Sequence, residues 1–249
     1  MNDIQAAGAA APLKVDITEK TFRSAEGLTL VALRNLSFNV AQGEFVCLFG
    51  PSGCGKTTTL RILLGLDRQF LGSYQLPSSG SDRVAAVFQE PLLLPWRTLE
   101  QNIRIALPKH MRDAKLDELL EILGLNGMRT HYPSELSLGL ARRAALARAF
   151  AIEPAILLLD EPFASLDEAT AEKLRKLLLT VWSARPTTAL MVTHNLREAL
   201  LLADRIIVLS PRPAHVSGIF EIGLPRRLRD AVEIERLVSA FHTQFADKV

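Results

Sequence analysis

Gly50-Pro51-Ser52-Gly53-Cys54-Gly55-Lys56-Thr57-Thr58 decides how this chain is read. The stretch fits G-x-x-x-x-G-K-[ST], a phosphate-binding loop. Phe45–Phe49 runs into it as an apolar, strand-like segment, and Leu60, Leu63 and Leu64 follow at helical spacing. A loop between a buried strand and a helix is the context that gives the motif its meaning. Its glycines let the backbone turn N–H groups inward around phosphate oxygens. The helix N-terminus adds the positive end of its dipole. Lys56 is expected to reach the β- and γ-phosphates, and the Thr57 hydroxyl to ligate Mg²⁺.

Working outward, strand-like runs occur at Val84–Phe88, Ala155–Leu159, Thr188–Thr193 and Arg205–Leu209. Several are continuously apolar, as strands covered on both faces are. Helical patterns lie between them: Leu174, Leu177, Leu178, Val181 and Trp182 form one stripe, and Asn195 is placed to cap a helix starting at Leu196. The alternation predicts an α/β fold, a phosphate-loop NTPase core with a mainly parallel sheet. Val15 and Ile17, then Leu36, Phe38 and Val40, alternate with polar residues and predict an N-terminal antiparallel β subdomain.

From about residue 90 to 152 strand signals are absent, and Leu116, Leu119, Leu120 and Leu123 form a helical stripe. Asp113 is placed to cap that helix and Gly124 to end it. This segment reads as a helical subdomain inserted in the core. Ile234, Leu237, Val238, Phe241 and Phe245 predict a closing helix over about 229–246. The whole of 13–249 reads as a single domain.

Composition sets bounds. The chain has 249 residues, 48% hydrophobic and 22% charged, an ordinary globular balance with room for a sizeable core. A net charge of +2 argues neither for nor against a nucleic-acid partner, and none is expected. The two cysteines, Cys47 and Cys54, have neither metal-ligand spacing nor a disulfide framework, which points to a reduced, cytosolic compartment. No apolar run reaches bilayer length. Residues 1–12 are alanine-rich, without a basic region or long apolar stretch, and read as a disordered tail and not a signal peptide. Work at a membrane would therefore go through a partner.

A second group of residues belongs with the loop. Asp160 and Glu161 end a buried apolar run, where α/β proteins place ligands. Asp160 is expected to hold Mg²⁺ and Glu161 to act on the attacking water as general base. His194 ends another run, and Gln89 ends Val84–Phe88. A lone histidine after a strand is more often structural, but this one is expected on the same sheet edge as Lys56 and Asp160.

In this order the motifs resemble the ATPase subunit of an ATP-binding-cassette (ABC) transporter, over about residues 13–225. Gly50–Thr58 is similar to the Walker A motif, Gln89 to the Q-loop residue and Ile156–Asp160 with Glu161 to Walker B. Ser165-Leu166-Asp167 is similar to the D-loop, and His194 to the switch histidine. Phe22 lies where the family stacks an aromatic ring on adenine. The resemblance implies ATP and Mg²⁺ as cofactors, with Thr57, Gln89 and Asp160 at the metal. It also implies a dimer closing around two ATP molecules, a homodimer in preference to a heterodimer. Asp167 and the signature residues Ser137 and Gly139 then help complete the nucleotide sites.

The signature departs from the family pattern. Leu136-Ser137-Leu138-Gly139-Leu140 stands for Leu-Ser-Gly-Gly-Gln, ahead of a matching basic, alanine-rich helix. Leucine resists the positive φ and close approach that glycine allows, so Leu138 is expected to crowd phosphate. Three outcomes are open: tolerance, slow hydrolysis, or pairing with a different subunit. Intact Lys56, Thr57, Gln89, Asp160, Glu161 and His194 favour weakened but real turnover. The alternative is a nucleotide-binding or regulatory subunit with weak or no turnover.

Phe88–Ile103, with Leu-Leu-Pro-Trp96, is similar to importer ATPases for nitrate, sulfonate and taurine. That resemblance implies an integral membrane permease, an indirectly coupled solute-binding protein outside the membrane, and a peripheral position on its cytoplasmic face. Leu92–Leu94 and Trp96 read either as a surface receiving a permease helix or as packing for the helical segment. A non-transport ABC protein acting on DNA or ribosomes fits less well, since the chain carries one cassette and no heptad run.

Overall fold

The computed structural model describes residues 12–23, 27–77, 83–185 and 187–246. Residues 1–11 of the expected tail lie outside them. Strand β1 (Leu13–Arg23) buries Leu13, Val15 and Ile17 and exposes the residues between, the period of a strand covered on one face. It pairs antiparallel with β2 (Thr29–Val40). β3 (Phe45–Phe49) is buried throughout and leads through the phosphate loop into α1 (Lys56–Leu63). β4 (Leu71–Gln75) joins the free edge of β1, completing a three-stranded sheet.

The chain continues through β5 (Val84–Val87), α2 (Leu99–Arg104), α3 (Asp117–Ile122), α4 (Leu138–Ala151) and β6 (Ile156–Asp160). No strand interrupts it between β5 and β6. There follow α5 (Glu168–Ala184), β7 (Thr188–Thr193), α6 (Leu196–Leu202), β8 (Arg205–Leu209), β9 (Val216–Glu221) and α7 (Ala231–Gln244). The main sheet has the order β5-β6-β7-β3-β8-β9, parallel except for the last pair.

Because β3 lies inside this sheet, its alternate residues feed two cores. Phe45, Cys47 and Phe49 face α4 to α7, with Phe45 edge-on to Trp182 at 5.8 Å and Phe49 edge-on to Phe241 at 5.5 Å. Val46 and Leu48 face α1 and the inner side of β1.

One local expectation changes, and two strands appear that the sequence did not signal. Asp113 does not cap α3; Leu116 is the N-cap residue, without a side-chain bond, and Asp117 and Glu118 supply negative charge to the first turn instead. Gly124, at φ +65°, does end that helix. β4 and β9 were not expected. β4 is mostly exposed, and β9 is half-exposed at the sheet edge, so neither carries an apolar run.

Candidate active site

β6, β7 and β3 are adjacent and parallel, so their carboxyl ends deliver Asp160–Glu161, His194 and the phosphate loop to one edge. Gly55 must be glycine: its φ is +130°, and a Cβ there would sit 2.5 Å from Leu33 Cδ2. No side chain caps α1, which leaves its first amides facing the loop. Lys56 is buried, and its Nζ donates to the Gly50 carbonyl at 2.7 Å and the Pro51 carbonyl at 2.9 Å. The loop thus satisfies its own ammonium, which would otherwise be costly to bury.

The Thr57 hydroxyl donates to Asp160 Oδ1 at 3.0 Å. Burial pushes the Asp160 carboxyl above its ordinary range. The Thr57 bond opposes this, Glu161 adds to it and Lys56 opposes it. A hydroxyl and a buried carboxylate with unfavourable like-charge company make a hard-oxygen pair suited to Mg²⁺.

Glu161 holds φ +44°, a left-handed conformation costing a non-glycine residue roughly 1–2 kcal/mol. Its amide donates to the Val192 carbonyl on β7 at 3.0 Å, which holds that turn. Its Oε1 then lies 3.1 Å from His194 Nδ1. An ionised carboxylate only accepts, so Nδ1 carries the hydrogen in this contact and Nε2 faces away.

The remaining expected residues surround this group. Pro51, Ser52, Gly53 and Thr57 are exposed, Thr58 is half-buried and Cys54 is buried. Gln89 is exposed just beyond β5. Phe22 is exposed near the end of β1, with Lys20 Nζ 4.6 Å from its ring centroid. Asp167 caps α5 by accepting from the Thr170 amide at 3.0 Å. Ser137 caps α4 by accepting from the Leu140 amide at 3.3 Å, and a Cβ on Gly139 would meet Thr170 at 3.1 Å. Among the described residues, no hydrogen bond joins Phe22, Gln89, Ser137 or Asp167 to Lys56, Thr57, Asp160, Glu161 or His194.

The backbone half of the objection to Leu138 fails. Leu138 is the first residue of α4, outside the left-handed region, so glycine is not needed there for its φ. Its side chain is exposed, whereas Leu140 packs on the core.

Sequence reasoning missed the arginines that fasten α4. Buried Arg142 donates to the carbonyls of Pro162 and Ala164, beyond Glu161. Arg148 donates to the Leu92 and Pro91 carbonyls at 2.7 and 2.8 Å, just beyond Gln89. Asn102, fully buried, holds the same segment through Leu94, Arg97 and Thr98. Arg212 donates to the Gly53 carbonyl. The available signal was a set of arginines in an otherwise alanine-rich helix.

The ABC transporter family model matches residues 33–164. The chain belongs to the ABC transporter family. It is an ABC ATPase. It is 43% identical over 226 residues to an aliphatic sulfonates import ATP-binding protein, SsuB 2, of Burkholderia cenocepacia (strain HI2424), covering 87% of this chain and 83% of that one. With SsuB of Bacillus subtilis (strain 168) it shares 40% identity over 218 residues, 84% of each chain. A dimeric structure of MJ0796, a bacterial ABC transporter cassette, superposes with a TM-score of 0.71 at 29% identity, covering 86% of this chain and all of that one. A post-hydrolysis MJ0796 structure with ADP and phosphate gives 0.67 at 28% identity, with the same coverage. The alternative of an ABC subunit without turnover gains no support from these relatives.

Proposed function

We propose that this chain hydrolyses Mg-ATP as one half of a homodimer and thereby drives a membrane permease importing aliphatic sulfonates. The carrying observation is the Glu161–His194 contact beside the Thr57–Asp160 pair on the edge that holds the phosphate loop. In this reading residues 13–249 form one nucleotide-binding domain, with a helical subdomain at about 90–152. The permease anchors it at the cytoplasmic face, and a solute-binding protein outside presents the substrate. The sulfonate class follows from the SsuB relatives.

The loop amides and Lys56 bind the phosphates, Lys56 exchanging the Gly50 and Pro51 carbonyls for phosphate oxygens. Thr57, Asp160 and Gln89 hold Mg²⁺, which when bound neutralises charge on the phosphate oxygens. Glu161, oriented by His194, accepts a proton from the attacking water. His194 Nε2 is then free to face the γ-phosphate. Phe22 stacks on adenine. Ser137 and Gly139 of the partner subunit close over the γ-phosphate, with Asp167 at the dimer seam.

Trp96 is 69% exposed and Leu92 52%, so these two form the permease surface, while Leu93 packs on the core. The test is Mg²⁺-dependent ATP hydrolysis by the purified chain, with Glu161→Gln as control, repeated with the permease in vesicles. Turnover abolished by Glu161→Gln and stimulated by an alkanesulfonate-loaded binding protein supports the reading. Turnover unaffected by Glu161→Gln overturns it.

A further inference from the structure

A buried chain of polar residues reaches His194 from behind. Thr193, at the end of β7, is 1% exposed. Its hydroxyl donates to Glu198 Oε2 at 3.0 Å and accepts from the Asn195 amide at 3.0 Å. One hydroxyl therefore fixes the residues on both sides of His194, whose own side chain is 53% exposed. Glu198 is buried on α6, and burial pushes its carboxyl up against the pull of Thr193, Arg175 and His194. Arg175, buried on α5, lies 3.9 Å from Glu198 Oε1 and also donates to Glu168. Glu168 directly follows Asp167, the residue that caps α5.

A buried glutamate and arginine cost free energy unless their partners are well placed. These partners converge on the backbone around one exposed imidazole. We propose that Thr193, Glu198 and Arg175 are positioning residues for His194, setting its place opposite Glu161 and tying that place to the start of α5. The inference rests on the role given to His194 above.

The test compares Thr193→Val, which keeps shape and loses the hydroxyl, with Thr193→Ser, which keeps the hydroxyl. Thr193→Val is expected to lower kcat by roughly 10- to 100-fold, the scale of a small misplacement at a reacting centre. ATP affinity should stay near wild type, and the thermal midpoint should fall by a few degrees, the cost of two lost hydrogen bonds at a buried hydroxyl. Thr193→Ser is expected to stay within about twofold of wild type. In a His194→Ala background, Thr193→Val should cost nothing further, because it acts through the ring. Where that background turns over too slowly to read, the His194 imidazole NMR resonance should move in Thr193→Val and not in Thr193→Ser. If Thr193→Val fails to fold, Glu198→Gln, which preserves shape, takes its place with the same readouts. Wild-type turnover in Thr193→Val beside an inactive His194→Ala overturns this inference alone. Wild-type turnover in His194→Ala overturns the His194 role, and the inference with it. A loss of turnover that a variant far from this edge reproduces with the same fall in midpoint, or an unmoved resonance, marks a structural role and also overturns it.

Discussion

Glu161 and His194 are joined twice across neighbouring strands. The Glu161 amide bonds to the carbonyl of Val192, two residues before His194, and the Glu161 carboxylate meets the imidazole at 3.1 Å. The left-handed turn at Glu161 is thus held by the strand that carries its side-chain partner. Such strain at a reacting group is sustained when its surroundings over-determine the conformation.

Glu161→Gln keeps the shape and removes the base. Turnover should fall by roughly 10²- to 10⁴-fold, the usual contribution of a positioned general base, with ATP binding retained. Phosphate release and nucleotide affinity, measured on one preparation, check both halves.

Lys56→Ala should act on affinity. A charge-assisted hydrogen bond is worth about 1.5–3 kcal/mol, roughly 10- to 150-fold in Kd. Equilibrium binding of an ATP analogue reads this directly. Stability should also fall by about 1–3 kcal/mol, because the Gly50 carbonyl is buried and loses its donor.

Ser137→Ala removes a helix cap, which costs about 1 kcal/mol of stability. If Ser137 also completes the partner's site, Ser137→Ala and Glu161→Gln should each be inactive alone yet regain turnover when mixed. Exchange of protomers then creates one intact site from two defective chains. Mixing without recovery would exclude a composite site.

Lys20 and Asp67 pair at 2.7 Å, with Lys20 almost fully buried. Burial raises the Asp67 carboxyl, but the Lys20 ammonium and the Gln69 amide together hold it below the ordinary range. A depressed folded-state pKa contributes stability above the unfolded carboxylate pKa, about 4, and loses it as pH falls through the folded value. Asp67→Asn should cost up to about 3 kcal/mol at pH 7, because the buried ammonium then keeps only the Gln69 carbonyl and a neutral amide as partners. The gap from wild type in urea midpoint should narrow below about pH 4.

Trp96→Ala should leave stability within about 0.5 kcal/mol, as exposed positions do. Binding to the permease should weaken by about 2 kcal/mol or more if the ring is an anchor. Co-sedimentation with permease vesicles separates the two effects.

The sequence made the catalytic edge legible because its parts have strong local signs. Continuous apolar runs mark β3, β6, β7 and β8, and Asp160, Glu161 and His194 sit at run ends. β4 stayed hidden because Leu-Gly-Ser-Tyr-Gln is mostly exposed and paired through β1 alone. The cap of α3 was misread because Asp113 lies four residues before its first turn, too early to reach the amides. The Thr193–Glu198–Arg175 chain joins residues on different elements, and no spacing rule records such contacts.

Two of the three arginines of α4, Arg142 and Arg148, grip main-chain carbonyls: Pro162 and Ala164 at one end, Pro91 and Leu92 at the other. A carbonyl is present whatever side chain its residue bears. The four acceptor positions can therefore drift in sequence while the fastening survives, so long as the backbone path is kept. The burden of identity falls on Arg142 and Arg148. In a saturation-mutagenesis screen for ATP hydrolysis, tolerance should be lopsided: the arginines fixed, their partners variable.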